Sequence, residues 1–220
     1  MEGRFLAIPS EKDPRIPGNL DPGQFSGRRL RLASASERRL TLLRQVGLDP
    51  EVWPTTIDES VFPDEDPEAY VARMALTKAR AAFDPEPDHL VLGADTAVVC
   101  DREILGKPAG PEEAMAMLAR LSGRTHRVLT AIAVCTRNHP EGVVQVVTSR
   151  VAFKSLTRAE ITAYVATGEP LDKAGSYGIQ GIGAFLVCHL EGSYSGVVGL
   201  PLFETLELLR NLGLTFPGPE

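Results

Sequence analysis

A few short segments of this 220-residue chain hold residue types spaced for chemistry. In Gly93-Ala94-Asp95-Thr96 a carboxylate stands inside an apolar run, with Val91-Leu92 before it and Ala97-Val98-Val99-Cys100 after it. Burying that carboxylate without a partner is expensive. Lys107, in Leu105-Gly106-Lys107-Pro108, becomes a partner if the turn at Asp101 folds the strand back on itself. A buried Asp–Lys pair can be structural, yet its desolvation makes it a poor source of stability. With Thr96 adding a polar group beside the acid, the segment reads as a functional site.

Three further segments add to it. Ser34-Ala35-Ser36-Glu37-Arg38-Arg39 sits where a strand hands over to a helix, so free backbone N–H groups and two guanidiniums suit a phosphate. The plainer reading makes Ser36 an N-cap and the arginines a solvated face. Asp58-Glu59 precedes a helix in which Lys78 shares a stripe with Val71, Met74, Ala75 and Ala82. Ala72, Leu76, Ala79 and Phe83 form an apolar stripe opposite, so the buried face is ambiguous, and Lys78 can simply snorkel from an edge. In Asp172-Lys173-Ala174-Gly175-Ser176-Tyr177-Gly178-Ile179-Gln180-Gly181 the glycines allow close backbone approach to a ligand. Gln180 there offers the donor and acceptor that read a base edge. The alternative is a long flexible loop.

The elements that must position these residues are of α/β type. A strand is expected at Leu30–Ala33, then a helix from Glu37 to about Val46 that stops at Gly47. Asp66-Pro67 starts a helix reaching about Phe83, and His89–Cys100 is strand, turning at Asp101-Arg102-Glu103 into Ile104-Leu105. Pro111 opens a helix with Ala114, Met117, Leu118 and Leu121 on one face. Strands at Val128–Cys135 and Val143–Phe153 are joined by a turn around 138–142. Thr157-Arg158-Ala159-Glu160 is a capping box, the loop 169–183 follows, then a strand Ala184–Leu190 and a helix Pro201–Leu212. Adjacent strands without helices between them make the sheet mixed.

Composition narrows the field. The chain is 43% hydrophobic and 24% charged, which is ordinary for a globular protein. A net charge of −6 argues against a protein that coats nucleic acid, without excluding a small anionic substrate held by a few clustered cations. Cys100, Cys135 and Cys188 lie far apart in apolar runs and read as buried reduced thiols. The four histidines, His89, His126, His139 and His189, lack paired-ligand spacing. No apolar run approaches the ~20 residues of a membrane helix, and the N-terminus lacks the form of a signal peptide, so the expected setting is the cytoplasm.

Together the segments resemble the Maf family of nucleoside triphosphate pyrophosphatases. The pattern is Ser34-x-Ser36-x-x-Arg39, Asp58-Glu59, Lys78, Gly93-Ala94-Asp95-Thr96, Leu105-Gly106-Lys107-Pro108 and Lys173 to Gly181, in order from Leu30 to about Leu212. Glu37 stands where many members have proline, at a helix start where an acid is also favourable. The resemblance implies an elongated α/β fold, a central mixed sheet flanked by helices with two lobes around a cleft, as in inosine triphosphate pyrophosphatases. It places one domain at 28–214, between a proline- and glycine-rich extension, 1–27, and a tail, 215–220.

It also implies cleavage of a nucleoside triphosphate to monophosphate and pyrophosphate with Mg²⁺ or Mn²⁺, by a homodimer. Ala94-Asp95-Thr96 with Ile179-Gln180-Gly181 looks like the dTTP/UTP subgroup. A 7-methyl-GTP-type enzyme, or a nucleotide-binding regulator of cell division without turnover, are the alternatives. On this reading Arg38, Arg39, Lys78 and Lys107 hold the triphosphate and offset charge on the leaving pyrophosphate. Glu59 and Asp95 suit a hard cation, and Asp95 either deprotonates the attacking water or holds the metal. Ser34, Thr96 and Gln180 are left for positioning phosphate and selecting the base.

Overall fold

The computed structural model describes residues 29–85 and 89–215, so the N-terminal extension and the final FPGPE lie outside the described residues. Seven strands form one mixed sheet in the order β2-β1-β3-β5-β6-β7, with β4 added to β3. They are β1 (Arg29–Leu32), β2 (Glu51–Val52), β3 (His89–Cys100), β4 (Glu103–Leu105), β5 (Thr125–Thr136), β6 (His139–Phe153) and β7 (Val187–Glu191). β1 runs parallel to β2 and β3, and the remaining pairings are antiparallel.

Local chemistry sets the helices. Asp66 accepts from Glu68 N at 2.9 Å and Pro67 occupies the first turn of α2 (Pro67–Ala81). Pro67, Val71, Met74, Ala75, Lys78 and Ala79 are its buried residues, so the stripe carrying Lys78 packs inward and Ala79 joins it from the other. α1 (Glu37–Gln45) ends before Gly47 at φ 81°. α3 (Pro111–Leu121) buries the four expected apolar residues. α4 (Arg158–Ala166) has both bonds of the Thr157–Glu160 capping box.

Several expectations needed correction. β6 begins at His139, because the connection is only Arg137-Asn138 and a register shift between Val134 and Thr136 absorbs the irregularity. Residues Ile182–Leu186 form a 3₁₀ turn, so β7 starts at Val187 rather than at Ala184. The loop 169–183 is not featureless, since 3₁₀ turns also cover Glu169–Asp172 and Ala174–Ser176. β2 and the short α5 (Tyr194–Val198) were not legible, one being two residues long and the other carrying Gly196 within five. The last helix, α6, spans Leu202–Asn211. Cys100 and Cys135 are buried, but Cys188 is exposed because it lies on the edge strand β7. No helix among the described residues is long and apolar enough to cross a membrane.

Three apolar clusters hold these layers together. One joins β1, α1 and α6 to the first half of β3; another joins the end of β3 to α3, α4 and Tyr177. The third seats α2 on the opposite face of the sheet. Gly93 sets how close α2 lies: a Cβ there would meet the Ala75 carbonyl and stand 2.7 Å from Ala79 N.

Candidate active site

The site is a gap in the sheet. β1 and β4 share one side of β3, but β1 stops opposite Leu92 and β4 resumes opposite Val98. Ala33 N makes the last bond, to Leu92 O at 2.8 Å, so Gly93 to Ala97 have no ladder strand on that side. A cavity of about 690 Å³ opens there, within the range of small-molecule sites. Alternation sends Asp95 to the α2 face and Thr96 to the other, and both line the cavity.

Lys78, one helical turn beyond Met74, reaches Asp95 Oδ1 at 2.7 Å and Glu59 Oε1 at 2.7 Å. The Asp95 and Lys78 side chains are buried, whereas Glu59 is 55% exposed at the mouth of the cleft. Burial pushes the Asp95 carboxyl above its ordinary value, with Lys78 and Arg39 pulling against it. Burial acts on Glu59 too, but the Lys78 bond and the charges of Lys78, Lys107 and Arg39 outweigh it and hold that carboxyl low. Two carboxylates driven apart in this way are suited to different tasks.

The partner expected for Asp95 was Lys107, and the structure assigns the ion pair to Lys78. Lys107 lies two residues past the β3–β4 pairing, exposed, lining the same cavity, where its charge acts on Glu59. The loop carrying Glu59 is held from α2. Tyr70 Oη donates to Glu59 O at 3.0 Å, and Arg73 Nη2 donates to Ser60 O at 3.0 Å while both its nitrogens Nε and Nη2 bond Glu65 at 2.6 Å. Asp58 is turned away into a local bond from Ser60 N at 2.9 Å.

On the other face Arg39 is the organiser. It donates to Gly199 O at 2.9 Å, Ser34 Oγ at 3.1 Å and Thr96 Oγ1 at 3.5 Å. Thr96 Oγ1 also lies 3.1 Å from Thr130 Oγ1. Ser36 takes the N-cap position of α1 but its side chain makes no cap bond; Ser34 Oγ accepts from Ser36 N at 3.2 Å instead. Arg38 lies exposed beside the cavity, 3.7 Å from Asp172. Gln180 is exposed on the cavity wall, in the glycine-rich segment. Thus Ser36, Arg38, Arg39, Glu59, Lys78, Asp95, Thr96, Lys107 and Gln180 all face one space, and Ser34 sits behind Arg39.

The glycines of that segment do not stand open for a ligand. A Cβ on Gly175 would come 2.7 Å from Val98, one on Gly178 2.8 Å from Lys173, and ones on Gly181 and Gly183 would meet Glu169 and Tyr164. Neither Glu169 nor Tyr164 was expected in the site, because nothing in their residue types or spacing signals a contact with backbone amides.

No group of three His, Cys, Asp or Glu side chains converges among the described residues. Lys78 engages one oxygen each of Glu59 and Asp95. The second oxygens would suit a hard divalent cation whose shell is completed by waters and phosphate, so the donor set fits Mg²⁺ or Mn²⁺.

Comparison with known proteins shows the family of the chain. The family model described as Maf-like protein matches residues 29–212. A dTTP/UTP pyrophosphatase of Methylobacillus flagellatus is 54% identical over 87% of this chain and 96% of its own length. Those of Moorella thermoacetica and Desulfotalea psychrophila are 54% and 53% identical, over 84% and 81% of this chain and 96% and 91% of theirs. With its cleft built on the segments that carried the resemblance, the chain belongs to the Maf-like protein family.

Proposed function

We propose that this cleft hydrolyses dTTP and UTP to the monophosphate and pyrophosphate. The observation that carries the reading is Lys78 bridging a buried Asp95 and an exposed Glu59 at the gap in the sheet, within a rim holding Arg38, Arg39 and Lys107. Relatives more than half identical over most of the chain, named for that activity, support the substrate pair.

The chain's own groups divide the work. Arg38, Arg39 and Lys107 bind the triphosphate and offset the charge that builds on the departing pyrophosphate. Asp95, the more basic carboxyl, takes a proton from water as its oxygen bonds the α-phosphorus. The α–β bridging P–O bond breaks and pyrophosphate leaves with the electron pair. Lys78 orients Asp95 and offsets its charge. Glu59, held anionic, and the outer oxygen of Asp95 would hold the divalent cation, which when bound supplies charge neutralisation along the phosphates. Gln180 presents an amide whose donor and acceptor match the carbonyl and N3–H of a uracil or thymine edge. The cytoplasm belongs to the same reading, supported by three free cysteines.

The test is a panel of nucleoside triphosphates with Mg²⁺ and with Mn²⁺ in ¹⁸O-water, scoring pyrophosphate and the position of the label. UTP and dTTP are expected to turn over fastest, with ¹⁸O in the monophosphate. Preference for GTP or a methylated GTP, or label in pyrophosphate, contradicts the reading.

A further inference from the structure

One carboxylate inside the recognition loop does work that the catalytic scheme does not use. Glu169 follows α4 and reaches under the loop. Its Oε1 accepts from Tyr164 Oη at 2.8 Å and from Gly183 N at 3.0 Å, and its Oε2 accepts from Ile182 N at 2.8 Å. The same Tyr164 oxygen accepts from Gly178 N at 3.1 Å. The two side chains therefore tie down amides on both flanks of Ile179-Gln180, leaving Gln180 at the apex. Tyr164 is 2% exposed and belongs to the α3–α4 core, so the tie runs from the apex into packed structure. Lys173 Nζ adds a bond to Glu169 O at 2.7 Å.

The glycines fit the same account. Side chains at Gly181 or Gly183 would collide with the Glu169 carboxylate or the Tyr164 hydroxyl, not with space left for substrate. Their lack of Cβ lets a carboxylate approach the backbone closely enough to accept several N–H bonds at once.

We propose that Glu169, directly on one flank and through Tyr164 on the other, is a positioning residue that sets base selectivity by fixing the backbone on both sides of Gln180. This rests on the reading of Gln180 as the residue that recognises the base. Glu169 touches no reacting atom in this scheme, so its loss acts on binding of the correct base more than on the chemical step.

The experiment compares the full chain with Glu169→Gln and Tyr164→Phe, by amide hydrogen exchange over 177–184 and by kcat/KM for UTP and GTP. Glutamine keeps the size but places an NH₂ against a backbone N–H. Tyr164→Phe removes only a hydroxyl and serves if the first variant does not fold. In Glu169→Gln the Ile182 and Gly183 amides are expected to exchange at least about tenfold faster. The preference for UTP is expected to fall about tenfold, through KM rather than kcat, with a smaller change in Tyr164→Phe. Unchanged exchange, or retained preference with faster exchange, overturns the proposal.

A second arm places Gly181→Ala in the wild type and in Glu169→Ala. The substitution should be costly in the first background and nearly silent in the second, because the collision partner is gone. Equal cost in both would mean that Gly181 serves the substrate, and would sink the account. A wild-type enzyme without pyrimidine preference overturns the substrate reading; a pyrimidine-selective wild type with an equally selective Glu169→Gln overturns this proposal alone.

Discussion

The two halves of the cleft are built on different principles. In the Asp95–Lys78–Glu59 half, Asp95 and Lys78 stand on a sheet strand and a helix packed closely at Gly93, Glu59 reaches in from a loop tied to that helix, and the contacts are ion pairs between side chains. The half that carries Gln180 is a chain of short 3₁₀ turns, held by backbone amides that converge on Glu169 and Tyr164. On the proposed roles, the proton-taking carboxylate and its lysine sit on regular elements, whereas the base is read from a loop tied by Glu169 and Tyr164.

The largest expected effect breaks the first half. Lys78→Met removes the cation from between two carboxylates and leaves Asp95 buried without its ion-pair partner. Turnover of UTP should fall about 10³-fold, and Asp95 should hold its proton to higher pH than in the wild type, seen as a carboxyl signal by infrared difference spectroscopy. A variant losing less than about tenfold would remove Lys78 from the centre of the account.

Gln180→Ala addresses the second half. Because Gln180 is exposed on the cavity wall, fold and thermal stability should be unchanged. The UTP-to-GTP ratio of kcat/KM should narrow about tenfold while pyrophosphate release persists. Loss of turnover for all bases alike would erase the division between the halves.

The last effect is on stability rather than turnover, and it sharpens the second half by pH. His126 Nε2 lies 2.8 Å from Tyr177 Oη, where the recognition segment enters the core, and burial pulls the imidazole down to about 4. The unfolded chain binds a proton there near pH 6.5 and the folded one does not, so stability rises with pH between those values. It is fully present above about 6.5 and lost as pH falls toward 4, by about 3 kcal/mol. Urea melts from pH 7 to pH 4 should show that slope in the wild type and a flatter one in His126→Gln. Parallel slopes would assign the acid sensitivity elsewhere.

Much of this was legible beforehand. Asp95 was visible because a charge in an apolar strand requires an explanation, and the α2 cap at Asp66-Pro67 was local chemistry. Lys78 was visible only in part, since two apolar stripes competed and only the packing of α2 on the sheet shows which one is buried. Lys107 was expected as the partner of Asp95 because the hairpin is local, but the pairing ends at Leu105, and the long-range α2–β3 packing supplies the nearer cation. The glycines of the recognition loop were read as space for a ligand, because a single sequence does not show which atoms fill that space. Glu169 was missed for the same reason: its partners are backbone amides, which leave no pattern of residue types.

The central claim is that Asp95 takes the proton from the attacking water, and Asp95→Asn tests it most directly. Asparagine keeps the shape, and Glu59 still holds Lys78 at 2.7 Å, so the fold should survive. UTP affinity by calorimetry without added divalent cation should stay within a few-fold, while pyrophosphate release with Mg²⁺ drops by at least about 10²-fold. An Asp95→Asn enzyme that releases pyrophosphate near the wild-type rate would contradict the account.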